Sequence, residues 1–243
     1  MKLSIVIPVY NEEKTISSIL SLVEEALLDL EFVAEHEIIL VDDQSTDNSK
    51  KIIEEIVKNK ENYKLFIHLE NSGKGAAIRT AVAQTTGDVI LIQDADLEYS
   101  PKDYRILLSP IVEGKADVVF GSRFKGETTR VLYFWHYMGN RFLTFLSNMF
   151  TNLNLTDMET CYKVFRGKIL RNMILTSDRF GIEPEMTAKI SKIKDIRIFE
   201  VPISYAGRTY AEGKKINWKD GVSAIISIVK FNLFTSYSNS FRE

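Results

Sequence analysis

Residues 89–98, VILIQDADLE, join an apolar run to a cluster of acidic side chains and decide the fold. The run at 89–93 is typical of a strand buried on both faces of a parallel sheet. Asp94, Asp96 and Glu98 follow it directly. On an extended stretch these alternate positions project the same way, so we expect the three carboxylates to converge.

Carboxylates that converge repel one another, and a hard divalent cation relieves that repulsion. Mg²⁺ is usually held by one or two carboxylates together with substrate phosphates. Asp94, Asp96 and Glu98 are therefore candidate ligands of Mg²⁺ or Mn²⁺. An Asp-x-Asp pair alone is a weak signal, because short acidic pairs are common in loops. Its position at the end of a buried strand makes it informative.

Strand-like and helix-like segments alternate on both sides of this run. Further strands are predicted at 5–7, 37–41, 64–69 and 117–123. Helical periodicity or helix-start signals lie at 16–23, 45–59, 73–84 and from Ser100-Pro101 to about Gly114. This alternation predicts an α/β fold with a parallel sheet. In such sheets ligands bind at the carboxyl ends of the strands.

Polar clusters follow the other predicted strands, at 10–12, 42–43 and 71–75. Asp42 and Asp43 could accept hydrogen bonds from a ribose hydroxyl or a base N–H. The turn 71–75, NSGKG, lacks the residues of a P-loop. It could still present backbone N–H groups and Lys74 to a phosphate at a helix N-terminus.

Composition limits the class of protein. The 243 residues carry a formal net charge of −2, which does not suggest a nucleic-acid binder. Residues 1–100 have 9 basic and 19 acidic side chains, whereas residues 161–220 have 13 and 7. Cys161 is the single cysteine, so we expect no intrachain disulfide and a reducing compartment. No signal peptide, repeat or linker is evident, and we expect one domain with a nucleotide-binding half at 1–125 and an acceptor-binding half at 126–243.

Two segments of the second half, 131–155 and 216–235, are apolar and aromatic. The first could be a pair of core helices. Either could instead lie in a membrane interface, where Trp and Tyr are favoured. No stretch approaches the roughly 20 apolar residues that span a bilayer. We therefore expect a cytoplasmic protein that is soluble or peripheral on the cytoplasmic face of a membrane.

Four motifs in order resemble the family 2 inverting glycosyltransferases of GT-A fold: IVIPVYNEE at 5–13, VDDQSTDNS at 41–49, NSGKGAAIRTA at 71–81 and ILIQDADLEYSP at 90–101. Within that family the chain is most similar to the polyprenol-phosphate glycosyltransferases, the group of the dolichol-phosphate mannose synthases. GSRF at 121–124, TDMETCYKVFR at 156–166 and GRTYAEGKK at 207–215 support this likeness. The resemblance implies a Rossmann-like, mainly parallel sheet flanked by helices, with C-terminal amphipathic helices.

The resemblance also implies roles for individual residues. Those expected to bind the nucleotide sugar are Pro8, Tyr10, Glu12, Asp42, Asp43, Lys74, Asp94, Ala95 and Lys214. Those expected to act in catalysis are Asp96, Arg123 and Arg208. Arg123 is expected to contact the acceptor phosphate. Arg208 and either Lys214 or Lys215 are expected to close over the donor phosphates. Cys161 stands where many relatives have Gly, and Glu98 where they often have Gln. Many members carry C-terminal transmembrane helices, and no stretch of these 243 residues is expected to form one.

By this resemblance the donor is a nucleotide sugar, GDP-mannose or a UDP-sugar, and the acceptor is a polyprenyl phosphate. Such a phosphate is already ionised and needs positioning more than deprotonation. A sugar hydroxyl as acceptor would need a general base, for which Glu183 or Glu185 is the first candidate. Membrane contact would come from amphipathic segments or from a membrane-anchoring partner. A homo-oligomer is the alternative to such a partner.

Two other classes remain as alternatives. Phosphohydrolases of the haloacid-dehalogenase kind also carry Asp-x-Asp after a strand. They carry it on the first strand, however, whereas here it follows the fourth. The chain could also be a non-catalytic nucleotide-sugar-binding subunit. Asp94, Asp96, Arg123 and Arg208 argue against that, because a site without catalysis would be free to lose them.

Overall fold

The computed structural model of the chain describes residues 1–126, 130–131, 133–208 and 218–242. Within them, one sheet has the strand order β3-β2-β1-β4-β6-β5-β7. The strands are β1 (Lys2–Val9), β2 (Glu35–Asp42), β3 (Tyr63–Ile67), β4 (Val89–Ile92), β5 (Val118–Ser122), β6 (Lys163–Arg166) and β7 (Ile198–Pro202). The helices are α1 (Ile16–Leu28), α2 (Ser49–Val57), α3 (Lys74–Val82), α4 (Tyr104–Val112), α5 (Phe134–Thr151), α6 (Gly167–Asn172), α7 (Ile182–Ile190) and α8 (Trp218–Leu233).

The α/β architecture with a mainly parallel sheet is confirmed. All five predicted strands are present, and β1, β2, β3 and β4 pair in parallel. Every residue of β4 is buried, as expected for a central strand. Ser100 accepts a hydrogen bond from Lys102 N and caps the 3₁₀ turn that leads into α4. The carboxyl ends of these strands meet at one edge of the sheet, where the polar clusters lie.

Strands β6 and β7 were not predicted. β6 lies between β4 and β5 and is antiparallel to both. Because of this reversed direction, the loop that precedes β6 lies at the same edge as the end of β4. The second half of the chain thus reaches the edge that carries the acidic cluster.

Helix α5 corrects the prediction for residues 131–155. It is one helix rather than a core pair, and only Thr144 and Ser147 are fully buried on it. A stripe of large apolar side chains on α5 is exposed to solvent: Trp135, Met138, Phe142, Phe145 and Met149. Their spacing of three and four residues places them on one face of the helix. None of the helices in the described ranges is long and apolar enough to cross a bilayer.

Candidate active site

The segment after β4 does not continue as a strand. Residues 95–98 form bends, and Glu98 N donates a hydrogen bond to Asp96 Oδ1 at 3.1 Å. The expected extended stretch is therefore wrong, but Asp96 and Glu98 both reach Arg208, and the charge of Asp94 acts on Asp96. Asp94 contacts Lys74, whereas Asp96 and Glu98 contact Arg208.

Asp94 is held by Lys74 from the N-terminus of α3. Lys74 Nζ lies 2.9 Å from Asp94 Oδ1 and 3.1 Å from Glu183 Oε1. Burial alone would lower the pKa of Lys74, but Asp94, Cys161 and Glu183 outweigh it and raise that pKa well above its usual value. The thiol of Cys161 also donates a hydrogen bond to Asp94. Lys74 thus ties the acidic loop to α7 as a permanent cation.

Arg208 occupies the centre of the second group of carboxylates. Its Nη2 lies 2.6 Å from Asp96 Oδ2, its Nε lies 3.2 Å from Glu98 Oε1 and its Nη1 lies 3.5 Å from Glu12 Oε2. The backbone N–H of Arg208 also donates to Glu98 Oε1 at 2.8 Å. Tyr205 donates its hydroxyl to the other oxygen of Glu98 at 2.8 Å. The carboxylates thus form a pocket around the guanidinium of Arg208.

Electrostatics show how crowded this pocket is. Burial raises the pKa of Asp96 to about 7, and the charges of Asp94 and Glu98 add to the effect, while Arg208 opposes it. Within the described ranges no three acidic, His or Cys side chains form a ready-made metal centre. Mg²⁺, however, commonly takes one or two carboxylates and completes its shell with phosphates and waters. Asp96 and Glu98, with Asp94 beside them, fit an ion of that kind.

We expect Arg208→Gln to bind Mn²⁺ more tightly than the wild type when no nucleotide is present. A cation would no longer have to displace the guanidinium from Asp96 and Glu98. The free Mn²⁺ signal in electron paramagnetic resonance gives the affinity directly. Arg105→Gln, an exposed arginine paired with Glu31, is the matched control. An unchanged or weaker affinity in Arg208→Gln would mean that the cation does not use this pocket.

Asp42 lies at the end of β2 and is completely buried. Its Oδ2 accepts a hydrogen bond from Ser45 N at 3.1 Å, whereas its Oδ1 has no partner among the described residues. A buried carboxylate oxygen without a partner is rare in folded proteins. Pro8 and the half-exposed Tyr10 lie at the end of the neighbouring strand β1. Asp42 Oδ1 is therefore available to accept a hydrogen bond from a ligand hydroxyl or N–H at the carboxyl end of β2.

Asp43 differs from its neighbour. Its two oxygens accept hydrogen bonds from His68, which directly follows β3, and from the glycine-rich turn. The four donors are His68 Nδ1, Asn71 Nδ2, Ser72 N and Gly73 N, at 2.7–2.9 Å. The side chain is thus used within the chain and anchors the turn, and its contact with the nucleotide stays a prediction.

The glycine-rich turn is also explained by packing. Ser72 N and Gly73 N donate to Asp43, and Ala76 N donates to the carbonyl of Asp178 at 3.0 Å. A Cβ on Gly73 would lie 2.4 Å from that same carbonyl oxygen. The N–H groups of Ser72, Gly73 and Ala76 are therefore used within the chain and not presented to a phosphate. Lys74 remains the group through which the turn reaches the site.

Arg123 follows β5 and forms a two-pronged ion pair. Its Nε lies 2.6 Å from Asp157 Oδ2, and its Nη2 donates to Asp157 Oδ1 at 2.7 Å. The guanidinium also lies 5.2 Å from the ring centroid of Tyr205. Asp157 is fully buried and was not predicted as a site residue. An aspartate in the loop that leads into β6, in the same motif as Cys161, was the available signal.

The two candidate bases in α7 are now distinguishable. Glu185 accepts hydrogen bonds from Thr176, Ser177 and Lys189 and is fully buried, so its role is structural. Glu183 contacts Lys74 through Oε1, while its Oε2 has no partner among the described residues. Ala95 is buried between Asp94 and Asp96. Lys214 and Lys215 lie outside the described residues.

The amino-acid sequence is similar to those of several known glycosyltransferases. The chain is 30% identical to undecaprenyl-phosphate 4-deoxy-4-formamido-L-arabinose transferase of Proteus mirabilis, over 88% of the chain and 62% of the relative. It is 31% identical to the low-salt glycan biosynthesis hexosyltransferase Agl6 of Haloferax volcanii, over 85% and 48% respectively. The chain thus spans about half to two thirds of the length of these relatives.

Among solved structures, glucosyl-3-phosphoglycerate synthase from Mycobacterium tuberculosis, in complex with Mn²⁺, UDP and phosphoglyceric acid, has the same fold. The TM-score is 0.71 at 17% identity, covering 96% of this chain and 78% of that one. The family model for glycosyl transferase family 2 matches residues 4–174. That match includes the ends of β1, β2 and β4 and the Arg123–Asp157 pair, and by it the chain belongs to glycosyl transferase family 2.

Proposed function

We propose that this protein transfers a hexose from a nucleotide sugar, GDP-mannose or a UDP-sugar, to a polyprenyl phosphate, with inversion and with Mg²⁺ or Mn²⁺. One arrangement carries the proposal. Carboxylates at the end of β4 surround the guanidinium of Arg208, and a second arginine, Arg123, lies at the end of β5. The carboxylates suit a divalent cation that would bind a donor diphosphate, and Arg123 suits an anionic acceptor. The Proteus mirabilis relative is named for an undecaprenyl-phosphate acceptor.

The donor would lie along the edge of the sheet. Asp42 Oδ1 would accept a hydrogen bond from the nucleoside, because it is buried and lacks another donor. Asp96 and Glu98, with Asp94, would hold the divalent cation, which supplies a Lewis acid for the departing diphosphate. Once a metal ion neutralised the carboxylates, Arg208 would be released from them and could bind the donor phosphates. Structures of the M. tuberculosis synthase include one complex with UDP and Mn²⁺ and another with UDP and Mg²⁺.

The acceptor would bind beside Arg123. Inversion requires attack from the face opposite the nucleotide, and an ionised phosphate oxygen needs no base for this. Asp157 and the ring of Tyr205 fix the guanidinium, so the positive charge is positioned before the acceptor arrives. Preorganised charge of this kind lowers the cost of reaching the transition state.

A sugar hydroxyl is the second candidate acceptor, and Glu183 favours it, since its Oε2 is buried and available to take a proton. The two acceptors are separated by supplying polyprenyl phosphate and the free polyprenol in matched detergent mixtures. Transfer to the phosphate alone supports our proposal. Equal transfer to the alcohol would favour the base-dependent reaction.

We further propose that the protein is peripheral on the cytoplasmic face of a membrane, where a polyprenyl phosphate is available. The support is the exposed apolar stripe on α5, defined by Trp135, Met138, Phe142, Phe145 and Met149. Helix α8, which packs on α5, adds exposed Ile226 and Leu233. Large exposed apolar surfaces usually mark contact with a membrane or another protein.

The double variant Trp135→Ser/Phe145→Ser is expected to lose most binding to liposomes in a flotation assay. Both side chains are largely exposed, at 80% and 65%, so their loss should not disturb the core. Leu28→Ser, an equally exposed apolar residue on α1, is the control and should float like the wild type. If the wild type does not float, or if the stripe variant changes only a dimer equilibrium, the stripe serves a partner or a second copy of the chain instead.

A further inference from the structure

Glu200 lies in the middle of β7, the strand at one edge of the sheet, where it pairs with Phe120 of β5. Its side chain is 6% exposed. Oε1 accepts hydrogen bonds from Thr156 N at 2.8 Å and from Asp157 N at 3.1 Å. Oε2 accepts one from Thr156 Oγ1 at 2.9 Å and forms an ion pair with Lys125 at 3.0 Å. Both oxygens of Glu200 therefore hold the loop that leads into β6.

The hydrogen bonds around this carboxylate run in one direction. An ionised carboxylate only accepts, so Thr156 Oγ1 must donate its proton to Glu200. Thr156 Oγ1 then has to accept from Ser122 Oγ, which lies 2.6 Å away. Ser122 Oγ in turn accepts from Phe124 N at 3.2 Å. The charge of Glu200 thus orients a chain of hydrogen bonds that ends at the two residues flanking Arg123.

The loop held by Glu200 also carries the partner of Arg123. Asp157 is completely buried and contacts the guanidinium through both of its oxygens. Its Oδ2 accepts a further hydrogen bond from Arg123 N at 3.0 Å. Glu200 therefore acts on Arg123 by two routes, through the backbone of Asp157 and through the hydroxyl of Ser122. A shift of the loop at residues 156–157 would move the carboxylate that orients the guanidinium.

Packing alone does not require a charge at this place in β7. Removing a carboxylate from water has a desolvation cost, and an apolar side chain of similar volume can often replace a buried ion pair without loss of stability. The carboxylate of Glu200 instead fixes a direction, because two N–H groups and one hydroxyl of the loop point at it. A binding group is held in its working geometry by supporting hydrogen bonds of this kind.

We propose that Glu200 is a positioning residue for the acceptor phosphate: it fixes the loop at 156–157, and through Asp157 it fixes the direction of the Arg123 guanidinium. The inference rests on the proposed function and deepens it, because it extends the acceptor side of the site to the edge of the sheet. Glu200 acts through Arg123 and does not touch the acceptor itself.

The test combines Glu200→Gln with Arg123→Lys in a double-mutant cycle. Glutamine has nearly the same shape as glutamate, but its Nε2 donates where the carboxylate accepted. Thr156→Val removes the bridging hydroxyl, keeps the shape of the side chain and serves as a second probe if Glu200→Gln does not fold. Glu35→Gln, an exposed glutamate of β2, is the matched control. For each protein we would measure the KM of polyprenyl phosphate, the KM of the donor and the NMR resonance of the Arg123 Nε–H group.

We expect Glu200→Gln and Thr156→Val each to raise the KM for polyprenyl phosphate about three- to tenfold, the effect of one lost hydrogen bond. The KM for the donor should change less than twofold, and the Arg123 Nε–H resonance should shift. In the Arg123→Lys background, Glu200→Gln should have little further effect, because the two residues act by one path. The control should match the wild type in all three measurements.

Three results would overturn the inference: equal rises in both KM values, full additivity of Glu200→Gln with Arg123→Lys, or an unchanged Arg123 resonance in both probe variants. Failure of the proposed function gives a different pattern. A wild type that transfers no sugar to polyprenyl phosphate removes the acceptor role. The resonance of Arg123 would then still show whether Glu200 orients the guanidinium.

Discussion

Asp96→Asn is expected to lower sugar transfer by roughly 10²–10³-fold or more, the scale seen when a preorganised group that stabilises transition-state charge is removed. Asp96 is largely buried and contacts the guanidinium of Arg208 at 2.6 Å, so its carboxylate is the one best placed to hold the metal against the diphosphate. Asp96→Ala should abolish turnover entirely. Initial rates at saturating donor and acceptor give the measurement.

The fold should survive these changes. The pKa of Asp96 is raised to about 7 in the folded chain, which means that its ionised form is disfavoured by folding. Replacing it with a neutral side chain should therefore leave the melting temperature unchanged or slightly higher. Asp29→Asn, at the exposed end of α1, is the matched control and should retain full activity. Metal-dependent transfer that persists in Asp96→Ala would overturn the assignment of this site.

Arg123→Lys is expected to raise the KM for polyprenyl phosphate about tenfold or more, with less than a twofold change in the KM for the donor. Lysine keeps the charge but loses the planar fork that contacts both oxygens of Asp157 and that can grip a phosphate. Steady-state kinetics with each substrate varied in turn separate the two constants. Equal effects on both would argue against a role at the acceptor.

The alanine variant answers a different question. Arg123→Ala leaves the buried Asp157 without its partner, and breaking a buried ion pair by removing one member typically costs about 3–5 kcal/mol. We therefore expect Arg123→Ala to melt at a much lower temperature, which makes its kinetics hard to interpret. A melting curve for Arg123→Lys close to that of the wild type is the condition for using its kinetics.

The sequence predicted the first half of the fold because its signals are local. Apolar runs such as 89–93 end abruptly at acidic residues, and helical periodicity fills the intervals between them. Strands β6 and β7 carry no comparable signal. β6 has only four residues with Lys163 at its start, and β7 alternates partly exposed side chains. Their pairing depends on contacts distant in sequence, which a local pattern does not contain.

The site was predicted in part for the same reason. The ends of β1, β2 and β4 were located from the strands that lead to them. The direction of each side chain was not predicted. Residues 95–98 form bends, Asp94 contacts Lys74 and Asp96 contacts Arg208. Asp43 was predicted to bind the nucleotide, yet it anchors the glycine-rich turn, since four donors of the chain itself converge on it. Neighbouring residues of the same type can thus have separate tasks.

The most direct test of the account is transfer of radiolabelled sugar from the preferred nucleotide sugar to polyprenyl phosphate, with Mn²⁺ or Mg²⁺ present. The account predicts label in the organic phase, released again by mild acid, that depends on the metal and disappears in Asp96→Asn. Label that never enters the lipid phase, or that enters it equally with free polyprenol as acceptor, would contradict it.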